Sequence, residues 1–116
     1  MPEKVVLFAF RDDLPCFIHV LLNAIDMHEK GCQAKIVLEG ASVKLVALLA
    51  DETNKMHALF ENTKSLGLFA GACRACSHMM GATAAVEKEG LALLDDMHGH
   101  PGMQRYLNDG YTVLIF

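Results

Sequence analysis

The sequence has no run of basic residues, no glycine-rich phosphate cradle, no long uninterrupted apolar stretch, and no low-complexity or repeated segment. Each absence removes a class of function. Ten Lys and Arg against fourteen Asp and Glu give a net charge of −4, with the cations scattered singly, so no stripe is available to neutralise phosphates and nucleic acid is not an expected partner. Neither GxGxxG nor GxxxxGK[ST] occurs, which leaves dinucleotides and nucleoside triphosphates without a recognisable cradle. The opening "MPEKVVLFAF" carries one Lys and a short apolar run that ends at "RDD", too short for a signal segment or a membrane span. A cytoplasmic chain with no membrane partner is expected. Cysteine is also sparse: four in 116 residues, Cys16, Cys32, Cys73 and Cys76, which reads as reduced thiols rather than a disulfide framework.

What is present is a compact apolar chain. Hydrophobic residues make up 53% and charged residues 21%, and 116 residues bury enough surface for one domain, residues 1–116, without staples. The run "KVVLFAF" (4–10) is continuous and β-rich, as for a strand covered on both faces. Asp13 as a cap, Pro15 in the first turn and Gly31 as a stop frame a first helix. Residues 33–40 form a second strand, and 41–67 carry helical periodicity with a break near 51–53. A third strand is expected at 66–71, short helices at 73–80 and 83–90, a strand at 91–96, a last helix over 100–110 with Pro101 near its start, and a buried final strand at 111–116. Apolar strands alternating with helices predict an α/β fold, a three-layer α/β/α sandwich around a mainly parallel sheet of about five strands.

That architecture has a functional edge. In open parallel sheets, ligands and reactive groups collect in loops beyond the carboxyl ends of the strands. Those loops here are "RDDLPC", "EGAS", "GACRAC" and "DMHGHP", which bring Asp12, Asp13, Cys16, Glu39, Ser42, Cys73, Arg74, Cys76, His98 and His100 to one rim.

Two readings stand for Cys73. Its place at the start of a helix sets its sulfur before unpaired amide N–H groups, with Arg74 adjacent, and both favour a nucleophilic thiolate. Free cysteine also serves as a small buried apolar residue. Cys76 completes a Cys-x-x-Cys spacing that lets the second sulfur turn back toward the first, as a resolving thiol, a ligand or a packed side chain. No Trp or Pro lies within the pair, so the motif is unlike that of thioredoxins.

His98 and His100 lie one residue apart on a rim loop, and two Cys with two His suit zinc or another transition metal. Such a site requires the two sulfurs within about 4 Å of each other and an imidazole completing tetrahedral ligation at roughly 2.0–2.3 Å. The competing reading makes His98 a solvated loop residue and His100 a helix-flanking one. His78 is expected on the surface, and Cys32, at the far end of the first helix, has no assigned role.

The "VVLFAF" strand, the "VLEGASV" strand and turn, "LGLFAGAC" leading into a helix with "MMG" downstream, and the closing "LNDGYTVLIF" together resemble the DsrE/DsrF-like (DsrEFH-like, TusD-type) small sulfur-relay family across nearly the whole chain. In relay members of that family the acceptor cysteine follows the third strand, eight residues before a glycine that often follows Arg. Cys73 and Gly81 match that spacing, with Met80 where the Arg would stand and Arg74 as the nearby cation. The resemblance implies sulfur handling: Cys73 accepting sulfane sulfur as a persulfide from a donor protein and passing it to a partner thiol, with Cys76 and Arg74 assisting. It also implies a homo-oligomer, a trimer or hexamer.

Three functions are therefore expected as alternatives: a possible sulfurtransferase or sulfur carrier, a metal-binding or thiol redox-sensing module using Cys73 and Cys76 with His98 and His100, or a non-catalytic oligomeric subunit. For assembly, the apolar stretches "KLVALLA" and "MHALFE" predict an interface on Leu45, Val46, Leu48, Leu49 and Met56.

Overall fold

A computed structural model describes residues 3–116. Five strands, β1 (Lys4–Ala9), β2 (Gln33–Leu38), β3 (Phe69–Cys73), β4 (Leu93–Leu94) and β5 (Thr112–Ile115), form one sheet in the order β4-β3-β2-β1-β5, and every neighbouring pair is parallel. The helices are α1 (Leu14–Glu29), α2 (Leu45–Ala50), α3 (His57–Ser65), α4 (Arg74–Met79), α5 (Thr83–Lys88) and α6 (Gln104–Asn108), with a 3-10 turn over Gly40–Lys44. The expected α/β/α sandwich is the observed one.

The order explains the layers. From β1 to β4 the chain steps in one direction across the sheet, and right-handed crossovers then leave α1 to α5 on one face. The return from β4 to β5, beyond β1, puts α6 on the other. The core divides accordingly. Val5, Leu7, Ala9, Ile36 and Leu38 pack with Phe17, Val20 and Leu21 of α1, Leu49 of α2, Phe60 of α3 and Val86 of α5. Val6, Phe8 and Val37 meet Tyr106 of α6, with Phe10, Met103 and Tyr111 closing the edges. Strands covered on both faces explain why β1 is continuously apolar from Val5 and β2 from Ile36 to Leu38.

Four expectations change. The final strand is an edge strand: Ile115 is 63% exposed, and Leu114 and Phe116 are also open, because β5 has only β1 as a neighbour and α6 is five residues long. Leu45, Val46 and Leu49 are core residues packed on their own sheet, and Met56 is partly buried against the same core. Leu48 alone of the five is openly exposed, at 46%, so the predicted interface does not exist as a patch. The strand expected over 91–96 is only two residues long, and the helix expected from His100 begins at Gln104, leaving 95–103 as loop. Among the described residues no helix is long and apolar enough to cross a membrane.

One irregularity sets how closely β3 and β4 approach. Ile36 pairs with Phe69 but Val37 pairs with Gly71, so Ala70 is an extra residue in β3. Gly71 then takes φ +153°, and a Cβ there would lie 2.5 Å from the Ala92 carbonyl oxygen and 2.8 Å from Leu94 Cγ. Only glycine permits β4 to lie this close to the strand that ends in Cys73.

Candidate functional site

The carboxyl edge of the sheet gathers the site from three connections. Glu39 follows β2, and its backbone N–H donates to the Ala9 carbonyl (2.8 Å). The buried Ser42 hydroxyl lies 2.7 Å from Ala9 O and 2.8 Å from Glu39 O, tying the turn after Glu39 to the end of β1. Cys73 is the last residue of β3 and caps α4, its Sγ accepting the Cys76 N–H at 3.3 Å. Cys76 lies one turn further along α4.

His100 arrives by a tight reversal. Met97 and His100 exchange both backbone hydrogen bonds, 2.7 and 2.9 Å, around His98 (φ 50°) and Gly99 (φ 85°). Two consecutive positive φ values describe a type I′ turn, in which asparagine followed by glycine is the usual choice and His98 here stands in the first position. The turn is pinned on α4 because the Ala75 N–H donates to Gly99 O (2.9 Å), while the Cys73 thiol lies 3.8 Å from the same oxygen. His98 is thereby exposed at the tip of the turn, and His100 returns to the sheet edge. Of the two histidines offered as ligands only His100 meets the thiols; His98 is the solvated loop residue of the competing reading, and His100 does not flank a helix, since α6 begins at Gln104.

Glu39, Cys73, Cys76 and His100 bring one donor atom each to within 4.8 Å of one another. His100 Nδ1 is their common neighbour, 3.1 Å from Cys73 Sγ, 3.7 Å from Cys76 Sγ and 3.5 Å from Glu39 Oε1. A single ring nitrogen carries one hydrogen or one lone pair, so it satisfies one of these partners and not three. This Glu/Cys/Cys/His group, with Glu39 and Cys73 buried and Cys76 and His100 partly so, is one that can hold a metal ion.

Burial governs its electrostatics. Cys73 is fully buried, and burial pushes its thiol up to about 12, with the Cys76 thiol and Glu39 adding to the rise against the Cys76 N–H. In the metal-free protein burial opposes the helix-start argument for a thiolate: one amide donor from a six-residue helix stands against desolvation beside a second thiol and a carboxyl. Burial likewise raises Glu39, which is 8% exposed, with His100 opposing. Arg74 is exposed and its Nε lies 2.9 Å from the Asp95 carboxylate, so its charge is spent on the loop that carries His100.

The remaining rim residues fall outside the cluster. Asp12 pairs with Lys44 at 3.0 Å, and Cys16 is an exposed thiol 3.1 Å from Asp13 Oδ2. His78 is exposed, as expected. Glu39 is the donor that residue type and spacing did not mark as a ligand, although its position directly after a buried strand had placed it on this rim.

No model of a known protein family matches the chain. It is 32% identical over 102 residues to uncharacterized protein MJ0733 of Methanocaldococcus jannaschii, covering 88% of this chain and 81% of that one. Two uncharacterized proteins of Archaeoglobus fulgidus match shorter segments, at 38% identity over 40 residues (34% of this chain, 66% of that one) and 46% over 37 residues (32% of this chain, 100% of that one). A solved structure of a conserved protein of unknown function, BT1422 from Bacteroides thetaiotaomicron, superposes with a TM-score of 0.73 over 98% of this chain and 95% of its own, at 21% identity, a likeness of fold alone. The chain belongs to the family of the Methanocaldococcus jannaschii protein.

Proposed function

We propose that this chain is a cytoplasmic metal-binding protein that holds one zinc-class ion on Cys73, Cys76, His100 and Glu39. The observation that carries the reading is the spacing of the donors around His100 Nδ1. A tetrahedral zinc with bonds of about 2.3 Å to sulfur and about 2.0–2.1 Å to nitrogen or oxygen places neighbouring S and N donors roughly 3.5 Å apart, and N and O donors roughly 3.4 Å apart. The separations of 3.1, 3.7 and 3.5 Å lie close to those values, and every other donor pair of the set is within 4.8 Å. Two sulfurs, one nitrogen and one oxygen favour zinc over the hard cations, which take oxygen ligands.

The ion also resolves the charge problem. Without it, a buried thiol and a buried carboxyl are held toward their neutral forms. A divalent cation deprotonates coordinating thiols outright and binds the carboxylate, turning an unfavourable set of buried acids into a ligand shell. Four protein donors leave no open coordination position, the pattern of structural and sensory sites rather than hydrolytic ones.

The test is zinc titration of the purified, chelator-treated full chain. One equivalent bound, with loss of binding in Cys73→Ser and retention in His98→Ala, is the expected result. No binding, or equal loss in both variants, refutes the reading.

A second reading, sulfur relay, has one observation in its favour. The Cys76 N–H that donates to Cys73 Sγ would also steady a persulfide anion there. Complete burial of Cys73 weighs against it, because a docking thiol must reach that sulfur. Intact mass after treatment with a sulfane-sulfur donor decides: one added sulfur that vanishes in Cys73→Ser supports relay, and an unchanged mass removes it.

A further inference from the structure

The two sulfurs of the site are neighbours in space but not in access. Cys73 is fully buried at the end of β3, whereas Cys76 on α4 is only partly buried. Their donor atoms lie within 4.8 Å, and two residues separate them in the chain, the spacing at which a disulfide closes without moving a strand. The other two donors, Glu39 and His100, come from different connections and do not depend on that bond.

We infer, resting on the metal reading above, that Cys73 and Cys76 form a redox latch: peroxide-class oxidants couple the two sulfurs as a disulfide and so expel the bound zinc. Cys76, the less buried of the two residues, attacks one oxygen of the peroxide. An S–O bond forms, the O–O bond breaks, and hydroxide leaves to take up a proton. Cys73 Sγ then attacks Cys76 Sγ, forming the S–S bond as the S–O bond breaks and a second hydroxide departs. The two sulfurs together lose two electrons and the two peroxide oxygens gain them. The ion retains only Glu39 and His100, too few donors for a closed zinc site, and dissociates. A dithiol reductant reverses the bond and restores the four-donor set.

The chain also holds an exposed Cys16 and a partly exposed Cys32, which would oxidise independently, so the test uses the full chain with Cys16→Ser and Cys32→Ser. The zinc-loaded protein is treated with stoichiometric hydrogen peroxide, and intact mass and zinc release to a chromogenic chelator are tracked together. The expected result is a mass lower by two hydrogens, matched by one equivalent of zinc, both restored by dithiothreitol and added zinc. With Cys73→Ser the mass should instead rise by one oxygen, trapped by dimedone on Cys76. A protein that loads one zinc and keeps it under peroxide, or whose first oxygen adds to Cys73, overturns the latch and leaves the metal reading standing. A protein that never loads zinc removes both.

Discussion

His100 Nδ1 lies 3.1 Å from Cys73 Sγ although 27 residues separate them in the chain. The contact exists because the loop after β4 reverses at His98 and Gly99 and docks its Gly99 carbonyl on the start of α4. The four-donor cluster depends on that docking.

Ligand substitutions should therefore rank by position. Cys73→Ser, Cys76→Ser and His100→Ala are each expected to weaken zinc binding by more than the about 10–100-fold typical of losing a supporting partner. Ser42→Ala, which frees the turn that holds Glu39, should fall within that range, and His98→Ala should leave affinity unchanged. Competition against a chelator of known affinity measures all five.

The raised thiol of Cys73 makes the metal-free protein sensitive to alkali. Its folded value of about 12 stands above the ordinary 9.0, so between those values the unfolded chain binds fewer protons than the native one. The stability it contributes is present below pH 9 and is lost as pH rises toward 12. Burial also raises Cys32, Tyr106 and Tyr111, which act in the same direction, so the signal is a difference. Urea unfolding of the metal-free chain should lose more stability from pH 8.5 to 11 than does metal-free Cys73→Ala. Parallel slopes would refute the assignment.

Zinc binding should release protons, since the Cys73 thiol and the Glu39 carboxyl are both held toward their neutral forms without it. Calorimetric titrations in two buffers of different ionisation enthalpy should give different apparent heats, and the affinity should fall as the pH is lowered.

Gly71→Ala is expected to destabilise the fold by at least about 1–3 kcal/mol, the usual range for forced overpacking, because the new methyl meets the Ala92 carbonyl at 2.5 Å. Since β4 leads directly into the loop carrying His100, the same substitution should weaken zinc binding without touching a ligand. Unaltered affinity in folded Gly71→Ala would show that the loop is held by α4 alone.

Leu48 and Leu49 offer a paired test of where the apolar helix points. Leu49→Ala should cost about 2–5 kcal/mol as a buried deletion, and Leu48→Ser should stay within about 0.5 kcal/mol. Thermal unfolding of the two variants reads the difference directly.

Local chemistry determined most of the fold. The continuous apolar run of β1, the apolar end of β2, the Pro15 and Gly31 limits of α1, and the alternation of strand and helix are properties of short segments, and they sufficed for a parallel α/β sandwich and for the rim on which Glu39, Cys73, Cys76 and His100 all lie. The tertiary structure decided which rim residues meet. His98 and His100 are equivalent as letters, but two consecutive positive φ values turn one outward and return the other, and that conformation is held by the docking of Gly99 on Ala75. Glu39 became a partner only when β2 and β3 aligned side by side, past the extra residue Ala70. The protonation of Cys73 was decided the same way: a helix start favours the thiolate, but the desolvation that reverses this comes from neighbours distant in the chain, and no local pattern encodes it.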